Sequence, residues 1–147
     1  MGELIVDKRS SGIPAPWKGR KYKRVYHENY EAYLKEIGMN PILRKLAAKV
    51  PTSVRLIKQQ DEYIWRTEST LQSTEVIFKD KEEFLHQRPF LPPVKVNMYF
   101  EGFDNCRLIQ KGLGDIPFLV VNEFTEKELV QTMTCNGVAC KLFFRVV

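Results

Sequence analysis

The sequence of 147 residues has little cysteine (3) and histidine (2), and no long apolar run. Cys106, Cys135 and Cys140 are too few and too irregularly spaced for a disulfide framework, so free, buried thiols are expected. Neither His27 nor His86 is near enough in sequence to complete a zinc knuckle with them. The sequence contains no Gly-x-Ser-x-Gly elbow, no phosphate-binding glycine loop and no metal-ligand spacing. A distant pairing of Cys140 with His27 is the best nucleophile and base it offers, and an enzyme is not expected. Nothing approaches the ~20 apolar residues that span a bilayer. Leu4-Ile5-Val6 is too short for a signal-peptide core, and Val6 stands where a myristoylation motif needs Ser or Thr.

What is present is ordinary globular composition: 44% hydrophobic, 28% charged, with 8 Gly and 8 Pro scattered along the chain. One domain with a short tail is expected. The net charge of +5 is unevenly placed. Residues 1–24 hold Lys8, Arg9, Lys18, Arg20, Lys21, Lys23 and Arg24 against Glu3 and Asp7, while the remainder is balanced at 16 basic and 16 acidic groups. A nucleic-acid domain would spread its basic stripe over a folded face, so nucleic acid is not an expected partner. A solvated basic arm on a neutral body describes the pattern better. Residues 1–16, ending in Gly12-Ile13-Pro14-Ala15-Pro16, read as that extended arm, and 17–147 as the domain.

Within the domain, Arg20 to Tyr26 suits a first strand, with Tyr22, Val25 and Tyr26 as its aromatic and β-branched residues. Two short helices follow. Asn29 is a candidate N-cap, and Tyr30, Tyr33, Leu34 and Ile37 repeat on one helical face until Gly38. Asn40-Pro41 restarts a helix whose Leu43, Leu46, Ala47 and Val50 share a face before Pro51 stops it. Helices of two to three turns are not stable alone, so they must pack as a lid. From Ser53 the period changes to two. Candidate strands are 54–58, 63–68, 74–79, 84–88, 94–100, 107–111, 118–121, 129–134 and 138–146. Asn136-Gly137 is the strongest hairpin signal, because a type I′ turn needs positive φ at both central residues. The prediction is an all-β fold: a ten-stranded antiparallel up-and-down β-barrel, closed so as to leave no exposed edges and capped by a helix-turn-helix.

Particular residues then resemble a known family. Trp17-x-Gly19-x-Lys21-Tyr22-Lys23 followed by residues 28–38, Arg44-Lys45 with Pro51, and Thr67-Glu68-Ser69-Thr70 with Ser73-Thr74-Glu75 are similar to the intracellular lipid-binding, or fatty-acid-binding, proteins. So are Phe78-Lys79 with Glu82-Glu83-Phe84, Leu108 to Lys111, and Glu123-Phe124 leading to a strand with Cys140. The resemblance runs from about residue 17 to the end. It implies a β-clam that carries one long-chain lipid non-covalently and delivers it to membranes, enzymes or the nucleus. It further implies a monomer, no cofactor or metal, transient membrane contact, and a cytoplasmic location with nuclear entry and a nuclear acceptor protein as further expectations.

The same resemblance exposes a departure. Typical members hold a fatty-acid carboxylate with an Arg-x-Tyr pair on the last strand and a second Arg two strands earlier. A buried carboxylate needs such partners to stay ionised. Without gaps these places fall on Leu142-x-Phe144 and Asn122, none of them charged, as in the retinol-binding members. A neutral or weakly polar head group at Asn122 is the favoured expectation, with an anion site built elsewhere as the alternative. A one-residue slip would instead bring in Lys141-x-Phe143. Positions matching the family place Tyr30, Leu34, Thr67, Leu71, Val76 and Phe78 along the cavity or its mouth, each with plain core packing as the competing reading. Leu71 is joined at the portal by Phe90 and Leu91, on a loop stiffened by Pro89, Pro92 and Pro93. That apolar tip either docks on a membrane or partner, or plugs the entrance. Lys35, Arg44 and Lys45 match a basic cluster used by some members for nuclear import, against a solvated basic face suited to anionic phospholipid. The competing function is a protein-interaction module that uses the basic arm or Phe90-Leu91 as its contact.

Overall fold

A computed structural model describes residues 14–147. The arm residues 1–13 lie outside the described part. Ten strands and two helices follow in chain order: β1 (Tyr22–Glu28), α1 (Tyr30–Glu36), α2 (Pro41–Lys49), β2 (Thr52–Gln59), β3 (Glu62–Ser69), β4 (Thr74–Phe78) and β5 (Glu83–His86). After them come β6 (Val94–Glu101), β7 (Arg107–Gly112), β8 (Phe118–Phe124), β9 (Glu128–Cys135) and β10 (Val138–Val146), with a short 3₁₀ turn at Phe103–Asn105.

All ten strands belong to one antiparallel sheet in the order β4-β3-β2-β1-β10-β9-β8-β7-β6-β5. The first and last strands pair, Tyr22 opposite Val146 and His27 opposite Leu142, and this wraps the meander into a barrel. The wrap is incomplete, because β4 and β5 are the two ends of the hydrogen-bonded order and do not pair. The expectation of a barrel without edges is therefore corrected to a barrel with one seam. The seam is pinned at its turn: Lys81 N–H donates to Met98 O at 2.9 Å and Phe100 N–H donates to Asp80 Oδ1 at 3.0 Å.

The helical lid is set by its ends. Gly38, at φ +97°, permits a Schellman termination in which Met39 N–H donates to Leu34 O (2.9 Å) and Gly38 N–H to Lys35 O (3.0 Å). Asn40 caps α2 by accepting from Ile42 N–H at 2.8 Å, with Pro41 at the first helical position. Asn29 departs from its expected role. It sits at φ +60° and gives α1 no side-chain cap; its Nδ2 donates to Ala139 O at 2.8 Å, tying the lid to β10. The β9–β10 turn follows the sequence signal, with Asn136 and Gly137 at φ +48° and +78°.

Two groups of buried side chains fill the barrel ends. Beneath the lid, Tyr33 and Leu34 pack on Val94, Val96, Phe118, Val120, Cys135 and Cys140. At the opposite end Trp17 stacks on Phe100 (ring centroids 5.8 Å) and donates from Nε1 to Asn105 O at 2.9 Å. Tyr22, Leu56, Leu108, Leu129 and Phe144 complete this floor. Each such side chain, once buried, contributes roughly 1.5–3 kcal/mol. Between the two groups the interior is left open.

Candidate functional site: the barrel cavity and its mouth

Strand alternation in β8, β9 and β10 points every second side chain inward, and the ladder aligns Leu108, Asn122, Gln131 and Leu142 across four strands. Asn122 and Gln131 are the buried polar residues of this row. Asn122 Nδ2 donates to Leu108 O at 3.0 Å, and Gln131 Nε2 donates to Asn122 Oδ1 at 2.7 Å. Each amide has a second N–H, so the row can offer hydrogen bonds to a guest but no charge. Leu142 and Phe144 face inward and Lys141 is exposed, which excludes the one-residue slip.

These side chains line a cavity of about 200 Å³, together with Arg24, Tyr30, Thr52, Trp65, Thr67 and Met98 among others. A second hollow of about 260 Å³ forms the mouth, lined by Leu71, His86, Arg88, Phe90 and Leu91. Tyr30, Thr52 and Thr67 line both, so the two hollows adjoin at these side chains. Either alone falls short of the roughly 300–1,000 Å³ usual for a ligand pocket; joined, they suit a long, thin guest.

Of the residues singled out in the sequence, Asn122, Leu142, Phe144, Tyr30 and Thr67 meet at the inner cavity. Leu71, Phe90 and Leu91 meet at the mouth, where Phe90 is exposed at φ +62°. The structure keeps three others apart from both hollows. Leu34 packs in the core beneath the lid, while Phe78 stacks on Tyr63 (5.5 Å) across β3–β4 with Val76 packed beside that cluster. Lys35 and Lys45 are exposed, and Arg44 donates from Nη1 to Met39 O at 2.8 Å.

Two residues were not singled out from sequence. Gln131 could have been found by counting back from the Asn136-Gly137 turn. Arg24 was counted only in the basic excess of residues 1–24, although it falls in the first candidate strand, and the structure turns it inward. It lies in β1 opposite Phe144, two residues from the fully buried Tyr22 and so on the same inward face. Its Nη2 donates to the carbonyls of Ala47 (2.9 Å), Ala48 (3.2 Å) and Val50 (3.0 Å). Those carbonyls end α2 and have no donors within the helix. The guanidinium also lies 5.3 Å from the centre of the Tyr30 ring. Burial pulls its pKa below the usual arginine value, an effect that Tyr30 partly offsets, while burial pushes the Tyr30 hydroxyl up and keeps it neutral. Cys140, by contrast, is an unreactive thiol whose pKa burial raises to about 11.

Among the described residues no cluster of His, Cys, Asp and Glu could hold a metal ion, and no helix is long and apolar enough to cross a membrane. What the arrangement can do is enclose an apolar chain and satisfy one polar end.

No family model matches the chain. It is 39% identical over 124 residues to a fatty acid-binding protein of Tyrophagus putrescentiae, covering 84% of this chain and 93% of that one. Human cellular retinoic acid-binding protein 2 is 33% identical over 124 residues, covering 81% and 90% respectively. Among solved structures, the fatty acid-binding protein from Drosophila melanogaster brain superposes with a TM-score of 0.83 at 31% identity, covering 88% of this chain and 98% of that chain. The fold is thus shared with a solved relative that this chain matches over most of its length, and the chain belongs to the fatty acid-binding protein family.

Proposed function

We propose that this protein is a non-enzymatic carrier that takes a long-chain lipid, a fatty acid or a neutral derivative of one, into the barrel and releases it elsewhere in the cell. The observation that carries this reading is the pair of adjoining hollows, one at the Leu71–Phe90 mouth and one at the Asn122–Gln131 row, each apolar along most of its wall. The relative from Tyrophagus putrescentiae, itself named a fatty acid-binding protein, supports it. The energetics are adequate. At about 0.8 kcal/mol per buried methylene, ten methylenes offer about 8 kcal/mol, the scale of a micromolar dissociation constant.

Delivery by contact with a membrane has support in the lid. Ile42, Leu46 and Phe90 are exposed apolar side chains, and Lys45 and Lys49 lie on the same helix as the first two. Exposed apolar side chains on a helix that also carries exposed lysines suit an anionic lipid surface. Exposed Lys35 and Lys45 are compatible with the nuclear-import cluster, although Arg44 is turned toward Met39.

Native mass spectrometry of protein purified without delipidation, followed by organic extraction, tests the carrier. The expected result is a bound acyl lipid at one per chain, or uptake of one when offered. A barrel that is empty and refuses both fatty acids and fatty alcohols would overturn the reading in favour of an interaction module.

A further inference from the structure

The carrier reading leaves open where a charged head group would sit, since the residues aligned with the usual carboxylate site are Asn122, Leu142 and Phe144. Resting on that reading, we propose that Arg24 is the head-group site for an anionic lipid, with the Tyr30 hydroxyl as its neighbour and the end of α2 as its roof.

Arg24 stands in the cavity wall, and among the described residues no carboxylate forms an ion pair with it. Its partners are the carbonyl dipoles of Ala47, Ala48 and Val50, all held by Nη2. With Nη2 taken up by the carbonyls, neither two-donor edge of the guanidinium is free, and a carboxylate would be met by a single charge-assisted hydrogen bond from Nη1 or Nε. The neutral hydroxyl of Tyr30, beside the guanidinium, can donate to the same carboxylate. A half-buried cation answered by carbonyl dipoles and the Tyr30 side chain, with no anion beside it, is costly, and an incoming anion offsets that cost.

The amide row cannot do the same. Asn122 and Gln131 offer hydrogen bonds without charge, and a carboxylate placed there would be buried unpaired. Gln131 lies two strands and two residues from Arg24, about 12 Å along the sheet. The cavity therefore has two distinct polar stations. An acid is held at Arg24 and a neutral head group at the amide row, with the acyl chain in contact with Trp65, Met98 and Met133 in either case. Because the guanidinium also holds the last turn of α2, an anion at Arg24 is felt directly by the lid.

The test compares palmitate with 1-hexadecanol, which differ only at the head group, on wild type, Arg24→Leu, Arg24→Lys and Asn122→Leu. Arg24→Leu is expected to weaken palmitate at least tenfold and hexadecanol by less than twofold, Arg24→Lys to retain most palmitate binding, and Asn122→Leu to weaken hexadecanol more than palmitate. An equal loss of both ligands in Arg24→Leu would show that Arg24 only fastens the lid and would overturn the proposal. So would a loss selective for palmitate in Asn122→Leu. Wild type that binds neither ligand would instead fell the carrier reading and the site with it. Should Arg24→Leu not fold, the Nε–H resonance of Arg24 in the wild type decides: palmitate is expected to shift it and hexadecanol to leave it in place, and the same response to both would reject the assignment.

Discussion

Asn122 and Gln131 show how closely single residues are specified inside this barrel. Replacing Asn122 with Leu leaves the Gln131 amide without its 2.7 Å partner in a buried position. A cost of about 1–3 kcal/mol is expected, and most of it should return in the double variant with Gln131→Leu, which removes the orphaned amide, although the Leu108 carbonyl still loses the Asn122 donor. Urea unfolding of the two variants checks this; a double variant less stable than the single would contradict it. Asn122, Leu142 and Phe144 were singled out by ungapped alignment from Glu123-Phe124, and all three line the inner cavity, on faces that the β8–β9 and β9–β10 registers fix. Arg24 was not. The register shift between Arg24 and Tyr26 breaks the alternation of β1, so that Val25 and Tyr26 are both exposed. Counted through that bulge, the inward face of β1 is lost. Counted back to Tyr22 it is regained, but an arginine among seven basic groups in 24 residues carries no sign that one of them points inward.

The helices were legible as elements because their breakers are chemically unambiguous. Gly38 and Asn40-Pro41 end one helix and begin the next within three residues. The path between them depends on the left-handed backbone of Gly38. Gly38→Ala is expected to cost about 1–2 kcal/mol through backbone strain alone, since a Cβ there would meet no neighbour. At about 2–4 °C per kcal/mol for a chain of this size, the thermal midpoint should fall by several degrees while the far-ultraviolet spectrum of the folded state is unchanged. An unaltered midpoint would show that the turn bears no such strain. The strand ends were harder to read. Residues 118–121 suggested a short β8, yet pairing with β7 and β9 extends it to Phe124. Polar Asn122 and Glu123 look like a strand end when the ladders on either side are not considered. Asn29 illustrates the converse: its side chain donates to a carbonyl in a strand 110 residues away and does not accept from the first N–H groups of its own helix.

Across the whole molecule, ten strands are held by a continuous ladder except at β4 and β5. Amides of β8 and β9, paired on both sides, are expected to exchange with solvent more slowly than those of β4 and β5, which are paired on one. Hydrogen exchange by mass spectrometry checks the order, and equal protection would mean that the seam is sealed by other means. The seam was invisible in the sequence because strand patterns reveal faces but not which neighbours pair. It is fastened at the Asp80–Lys81 turn, and its free ends, Thr74 and His86, lie at the mouth. The tariff on entry and departure is therefore separate from the strength of the frame. A sealed ladder would widen only by breaking backbone hydrogen bonds, whereas this one can part by separating side chains. Substitutions at Leu71, His86 and Phe90 can lengthen or shorten a guest's stay while leaving the melting temperature of the barrel where it was, so that evolution can set how long cargo is held without renegotiating how the vessel is built.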